Sequence, residues 1–141
     1  MSDPISLRVI TPEAIARDTT CTSISFPTTD GSVGVLKDHA PMVAALGVGE
    51  LAIRRSDGAN DAMFIAGGFA EVRDNVARIV TDVSEAPSDI DVDRAVKAAE
   101  RARARLDRQE AVEGDHLDVL RARGALARAI MRQQIATKYR R

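Results

Sequence analysis

Two histidines, His39 and His116, and one cysteine, Cys21, are the side chains of this 141-residue chain best suited to metal or nucleophilic chemistry. The histidines fall in different halves, and no Cys/His or His/carboxylate pair has the spacing of a metal site. No serine stands in a nucleophile elbow, and no glycine-rich phosphate loop opens a helix. Gly67-Gly68 reads as a tight hairpin turn rather than an oxyanion loop, and Cys21 as a buried strand residue. These residues predict a chain that is no enzyme by itself, with no metal and no required cofactor.

Charge carries more information than the catalytic residue types. Residues 1–88 hold 12 acidic and 7 basic residues, a net −5, while residues 114–141 hold 2 acidic and 7 basic, a net +5. The stretch between them, 89–113, is nearly neutral at −1. Such a gradient predicts that the last segment seeks an acidic surface. Only Phe26, Phe64, Phe69 and Tyr139 are aromatic, too few for base stacking, so an acidic protein fits better than nucleic acid. A single cysteine permits no internal disulfide and suits a reducing compartment. No apolar run reaches the roughly 18 residues of a membrane span, and the N-terminus lacks the basic and apolar regions of a signal peptide. The expectation is a soluble protein made where it works.

The elements that would carry these residues change type near Pro87. Before it, short apolar runs alternate with turn signals at Thr29-Asp30-Gly31, Ser56-Asp57-Gly58, Gly67-Gly68 and Asp74-Asn75. Strands are predicted at 6–10, 14–17, 20–26, 33–36, 42–45, 50–54, 62–66, 69–73 and 77–80, a density that argues for a sandwich or barrel. Two or three residues connect 62–66 to 69–73 and 69–73 to 77–80, so both pairs read as hairpins. After Pro87 come alanine, arginine and leucine with no further proline, predicting two helices joined at Gly114. The first should start at Asp89 or Asp91 with Ser88 or Asp89 as cap, and bury Val92, Ala95, Val96, Ala99, Ala102 and Leu106. The second, from Gly114-Asp115, should bury Leu117, Leu120, Gly124, Ala127 and Met131, flanked by Leu126, Ile130 and Ile135. The predicted fold class is α+β: a β-sandwich over 1–86, then an antiparallel two-helix hairpin over 87–141. Small inner-face residues bury little area, so the hairpin should be marginal by itself, which is the physics of a switch.

Four motifs then fall in order along the chain: Val9-Ile10-Thr11-Pro12-Glu13, Gly31-Ser-Val-Gly34-Val-Leu-Lys-Asp-His39-Ala-Pro41, Gly67-Gly68-Phe69-Ala-Glu71-Val72 and Ile90-Asp91-Val-Asp-Arg94-Ala95. Gly31 and Gly34 permit a hairpin with close backbone approach, and the Ala-Pro pair holds His39 in an extended segment. Taken together, with the helical tail, they resemble the epsilon subunit of the bacterial proton-translocating ATP synthase, counterpart of the mitochondrial delta subunit. The resemblance implies a noncatalytic rotor subunit that grips the gamma subunit and rests on the ring of c subunits. It places Ser32 and His39 at the ring; the family often has an acidic residue where this chain has Ser32. It implies a peripheral place on the cytoplasmic face of a bacterial inner membrane, reached only through the complex.

The resemblance also implies regulation by the hairpin. Extended towards the alpha and beta subunits of the catalytic head, it would block ATP hydrolysis through Arg121, Arg123, Arg128 and Arg132. Folded, it would hold ATP as a regulatory ligand. The implied residues are Glu85, Ile90, Asp91, Arg94 and Ala95, with Arg128 and Arg132 one turn apart to grip phosphate oxygens. Asp91 and Arg94 could equally be an N-cap and a surface pair. Two rivals stand beside the rotor: a free-standing nucleotide sensor built on the same residues, and a basic-tailed adaptor for nucleic acid.

Overall fold

The computed structural model describes residues 4–111 and 116–139. Contacts divide the chain at Ala86/Pro87 into two units. In the first, strands β1 (Ile5–Ile10), β2 (Ile15–Cys21), β3 (Ser23–Thr28), β4 (Gly31–Leu36) and β5 (Met42–Ala45) are followed by β6 (Val48–Arg54), β7 (Asn60–Ala66), β8 (Phe69–Arg73), β9 (Val76–Val80) and β10 (Val83–Glu85). They form two five-stranded sheets, β2-β1-β9-β8-β5 and β10-β7-β6-β3-β4. Neighbouring strands are antiparallel except β1 and β9, which run parallel. Ile5, Leu7 and Val9 alternate inward from one sheet and Ile24, Phe26, Leu51 and Ile53 from the other, packing one core between them. The predicted sandwich is therefore present.

Two strand expectations change. The stretch 20–26 is two strands, because the chain bends at Thr22 and passes from one sheet to the other. Buried Cys21 and buried Ile24 are three positions apart, a slip in the period of two that marks the crossing. Likewise β7 and β8 are no hairpin: β7 pairs with β6 and β10, β8 with β5 and β9. Gly67 and Gly68 form the corner between the sheets, with φ of 74° and 98°. A side chain at Gly68 would put its Cβ 1.9 Å from the Val80 carbonyl oxygen, so only glycine fits. Thr81 completes the corner, the one proton of its buried hydroxyl shared between the carbonyl oxygens of Val83 and Ala66 at 3.0 and 3.2 Å. The expected β8–β9 hairpin holds, turned by Asp74 and Asn75 at φ 50° and 61°.

In the second unit a 3₁₀ turn (Pro87–Asp89) leads to α1 (Val92–Ala111), which packs on α2 (His116–Lys138). The cap is Asp91, not Ser88 or Asp89: its Oδ1 accepts the Arg94 amide at 3.0 Å. Gly114 and Asp115, expected to join the helices, lie outside the described residues. Ala95, Ala99 and Ala102 of α1 are buried as expected, but Val96 is exposed. The expected face of α2 is wrong. Leu117 and Leu120 are about half exposed, and the buried residues are Ala122, Ala129, Ile135 and Ala136. Helices with alanine at the seam approach closely, and that spacing selects the small residues over the leucines.

Candidate functional site

The outer face of the β2-β1-β9-β8-β5 sheet carries a row that alternation alone would make polar. Strand register sets Ala45 beside Phe69, Phe69 beside Val80, Val80 beside Ile10 and Ile10 beside Ile15. Ile15 is 58% exposed and Phe69 44% exposed. The row two residues along runs Val43, Glu71, Arg78, Arg8 and Asp18, with Arg8 and Asp18 paired at 3.7 Å. Val43 is 73% exposed and extends the apolar band at its β5 end. A continuous apolar row bordered by charges has the composition of a protein–protein contact surface. Strand-by-strand reading missed it, because its residues come from five strands and only register joins them.

The segment Gly31–Pro41 forms β4 and the connection to β5. Ser32 is exposed on β4 opposite Pro27, next to the Thr29-Asp30 turn, while His39 follows the far end of the strand. The structure thus places the two residues at opposite ends of β4, and one surface meets both only if it lies along that strand's free edge. No close backbone approach accompanies Gly31 or Gly34, since a Cβ at either meets nothing within 4 Å. His39 Nδ1 lies 2.7 Å from the Ala40 carbonyl oxygen, and its amide donates to Leu36 O at 3.2 Å. The brace to the rest of the sandwich is the preceding residue: Asp38, at φ 63°, donates its amide to Asn75 Oδ1 at 2.7 Å, and Asn75 Nδ2 returns a bond to Asp38 Oδ1 at 3.2 Å. The φ requirement at Asn75 was visible in the sequence as a turn; its side-chain partner was not.

Between the two sheets Arg17 of β2 and Asp61 of β7 form a half-buried ion pair. Burial pushes the Asp61 carboxyl up, but the Arg17 hydrogen bond, the Ala62 amide and the charges of Arg17 and Arg55 together bring it below its ordinary value. Cys21 is buried, and burial pushes its thiol up, which makes it a poor nucleophile.

On the helices, Ile90 and Ala95 are buried, Asp91 is occupied as the cap, and Arg94 is exposed. Arg121, Arg128 and Arg132 share one face of α2 at spacings of seven and four, with Arg128 lying over Gly124. Arg123 falls on the opposite side of the helix from the other three. Glu85 sits half-buried on β10 opposite Phe64. Among the described residues no group of three His, Cys, Asp or Glu could hold a metal, and no helix is long and apolar enough to cross a membrane.

An exposed apolar row on a rigid sandwich and a basic flank on a helical pair define a module built to bind other macromolecules. The chain belongs to the ATP synthase delta/epsilon chain family: the model of its beta-sandwich domain matches residues 4–87, and that of its long alpha-helix domain matches residues 88–137. It is 41% identical to the ATP synthase epsilon chain of Symbiobacterium thermophilum over 133 residues, 94% of this chain and 92% of that one. It is 34% identical to the ATP synthase epsilon chain of Nitratidesulfovibrio vulgaris over 135 residues, 96% and 97% of the two chains. A chain in the cryo-EM structure of Euglena gracilis mitochondrial ATP synthase (OSCP/F1/c-ring, rotational state 1) superposes with a TM-score of 0.79 at 27% identity. That match covers 99% of this chain and 84% of the other. A chain of the Tetrahymena thermophila central stalk/c-ring structure, at 17% identity and a TM-score of 0.53, shares the fold.

Proposed function

We propose that this chain is the epsilon-type, noncatalytic rotor subunit of a proton-transporting ATP synthase, peripheral on the cytoplasmic face of a bacterial inner membrane. Its work is mechanical. The sandwich clamps gamma to the c-subunit ring, so that rotation of the ring reaches the catalytic head without slip. The observation that carries the proposal is the outer row from Ala45 through Phe69, Val80 and Ile10 to Ile15. It offers gamma a flat apolar surface, on a two-sheet core stiff enough to transmit torque. The free edge of β4, with Ser32 towards one end and His39 beyond the other, is the surface for the ring.

The helical unit adds regulation. Arg121, Arg128 and Arg132 contact the acidic surface of the alpha and beta subunits and slow ATP hydrolysis. ATP is a regulatory ligand held by Arg94, Arg128 and Arg132 of the helical unit, with Asp91 as a polar partner. The rotor role is tested by adding the purified full chain back to host membranes stripped of it and following ATP-driven proton uptake. Restored uptake at unchanged or lower ATP hydrolysis supports coupling. Hydrolysis without restored uptake rejects it.

A further inference from the structure

Two turns from distant parts of the sequence are tied together at the end of the sandwich where His39 stands. One is closed by the His39 amide, which donates to the Leu36 carbonyl at 3.2 Å, with Lys37 and Asp38 as its central residues. Asp38 is at φ 63°, the third position of a type II turn, where glycine or asparagine is the easier residue. The other is the β8–β9 hairpin turn, in which Asp74 and Asn75 are both left-handed, at φ 50° and 61°. That is the type I′ pattern, and glycine is preferred at its second central position, here Asn75. The Asp38 amide donates to Asn75 Oδ1 at 2.7 Å, and Asn75 Nδ2 donates to Asp38 Oδ1 at 3.2 Å. Each turn thus keeps a residue with a side chain where glycine would fold more easily, and the residues kept there bond to one another.

The tie changes how a force on residues 37–41 spreads. β4, which precedes them, is an edge strand of one sheet and pairs with β3 alone. β5, which follows them, is a four-residue edge strand of the other sheet and pairs with β8 alone. Without the tie, a force on His39 reaches the apolar row only through these two edges. With it, the force passes to the β8–β9 turn and on to β1, since the Asn75 carbonyl accepts the Ser6 amide at 2.9 Å. β8, β9 and β1 carry Phe69, Val80 and Ile10, the middle of the apolar row. Both side-chain bonds are exposed, so they add less to the core than to where residues 37–41 stand. The ring that is held there has a defined tautomer as well. His39 Nδ1 meets the Ala40 carbonyl, which only accepts, so in the neutral ring Nδ1 carries the proton and Nε2 is the acceptor.

We infer that Asn75 is a positioning residue for coupling, one that holds the His39 segment in fixed register with the sheet facing gamma. The ring and gamma are then met by one rigid piece, a role that rests on the rotor function proposed above. The gain is preorganisation. A loop already held in its bound geometry loses little freedom on meeting the ring, whereas a loop fixed only at its ends must be ordered by the contact itself. Asn75 belongs to neither proposed surface, since it sits in the hairpin turn and off the apolar row. The charge of Asp38 is not required, because asparagine offers the same acceptor oxygen and takes up a left-handed backbone as readily.

The experiment titrates purified full-length chain into host membranes stripped of this subunit and follows ATP-driven proton uptake. Sedimentation with purified gamma gives the affinity for gamma separately. Asn75→Gly keeps the turn and removes both side-chain bonds. It should need about tenfold more chain for half-restored uptake, while its affinity for gamma changes less than about twofold. Asp38→Asn should behave as the parent does. Asp61→Asn, which weakens the sandwich at the Arg17 ion pair and leaves the tie intact, should also match the parent, separating positioning from a general loss of stability. The inference is overturned, with the rotor role left standing, by any of three results. Asn75→Gly restores uptake at the parent's concentration, it loses gamma in equal measure, or Asp38→Asn or Asp61→Asn is impaired as badly. A parent chain that restores no uptake overturns the rotor role, and the inference with it.

Discussion

At the scale of single residues, the sandwich depends on a few positions where geometry leaves no freedom. Gly68 sits against the Val80 backbone, which cannot move aside without parting the two sheets. Gly68→Ala should cost about 3 kcal/mol or more in urea unfolding. At Gly67 a Cβ would meet only the Asp82 side chain, at 3.1 Å, so Gly67→Ala should cost less, about 1–2 kcal/mol for the left-handed backbone alone. Asp61 makes a prediction in pH. Its carboxyl is lowered in the folded state, so its contribution is complete above about pH 4, the unfolded value, and disappears as pH falls through the folded value. Asp61→Asn should therefore lower stability by about 1–2 kcal/mol at neutral pH and flatten the acid limb of the stability profile. Equal acid sensitivity in the variant and the parent would contradict that role. Asn75→Gly keeps the turn geometry but removes both bonds to Asp38. Hydrogen exchange at the Asp38 amide should accelerate at least about tenfold, with global stability lowered by only about 1 kcal/mol.

At the scale of elements, alternation reveals a strand when one face is wet and conceals the sheet it belongs to. The strands with clear alternation, such as 6–10 and 69–73, were legible. Residues 62–66, all buried, have no period of two and so gave no sign that the next turn crosses to the other sheet. The three-residue strand β10 was missed because a half-buried Val-Ser-Glu has neither pattern nor length. On the helices, α1 was legible because alanine is its main apolar residue. On α2 the leucines drew the predicted face away from the true seam at Ala122, Ala129 and Ala136. Hydrophobicity ranks leucine above alanine, while close packing of two helices ranks them the other way. The ring and nucleotide residues were named from family motifs, and the apolar row escaped both routes. Asp91→Ala should cost about 1 kcal/mol of helical stability through loss of the cap, read as lower helicity with no ATP present. An effect seen only when ATP is bound would instead assign Asp91 to the ligand.

At the scale of the molecule, a coupling subunit needs one rigid surface and one conditional one, and the division at Ala86/Pro87 separates them. The sandwich buries large side chains such as Phe26, Leu51 and Ile53 and can bear load without deforming. The helical pair buries mainly alanines, each contributing less burial than a leucine, which predicts a low opening free energy. Partners that bind the closed or the open pair differently can then shift it. The central claim is that the outer sheet face holds gamma, and the most direct test is sedimentation of the full chain mixed with the gamma subunit of its own host. A one-to-one complex is predicted for the parent, weakened at least about a hundredfold in Phe69→Glu, a change at an exposed position that leaves the sandwich folded. A complex of undiminished affinity in the variant, or no complex with gamma at all, would contradict the account.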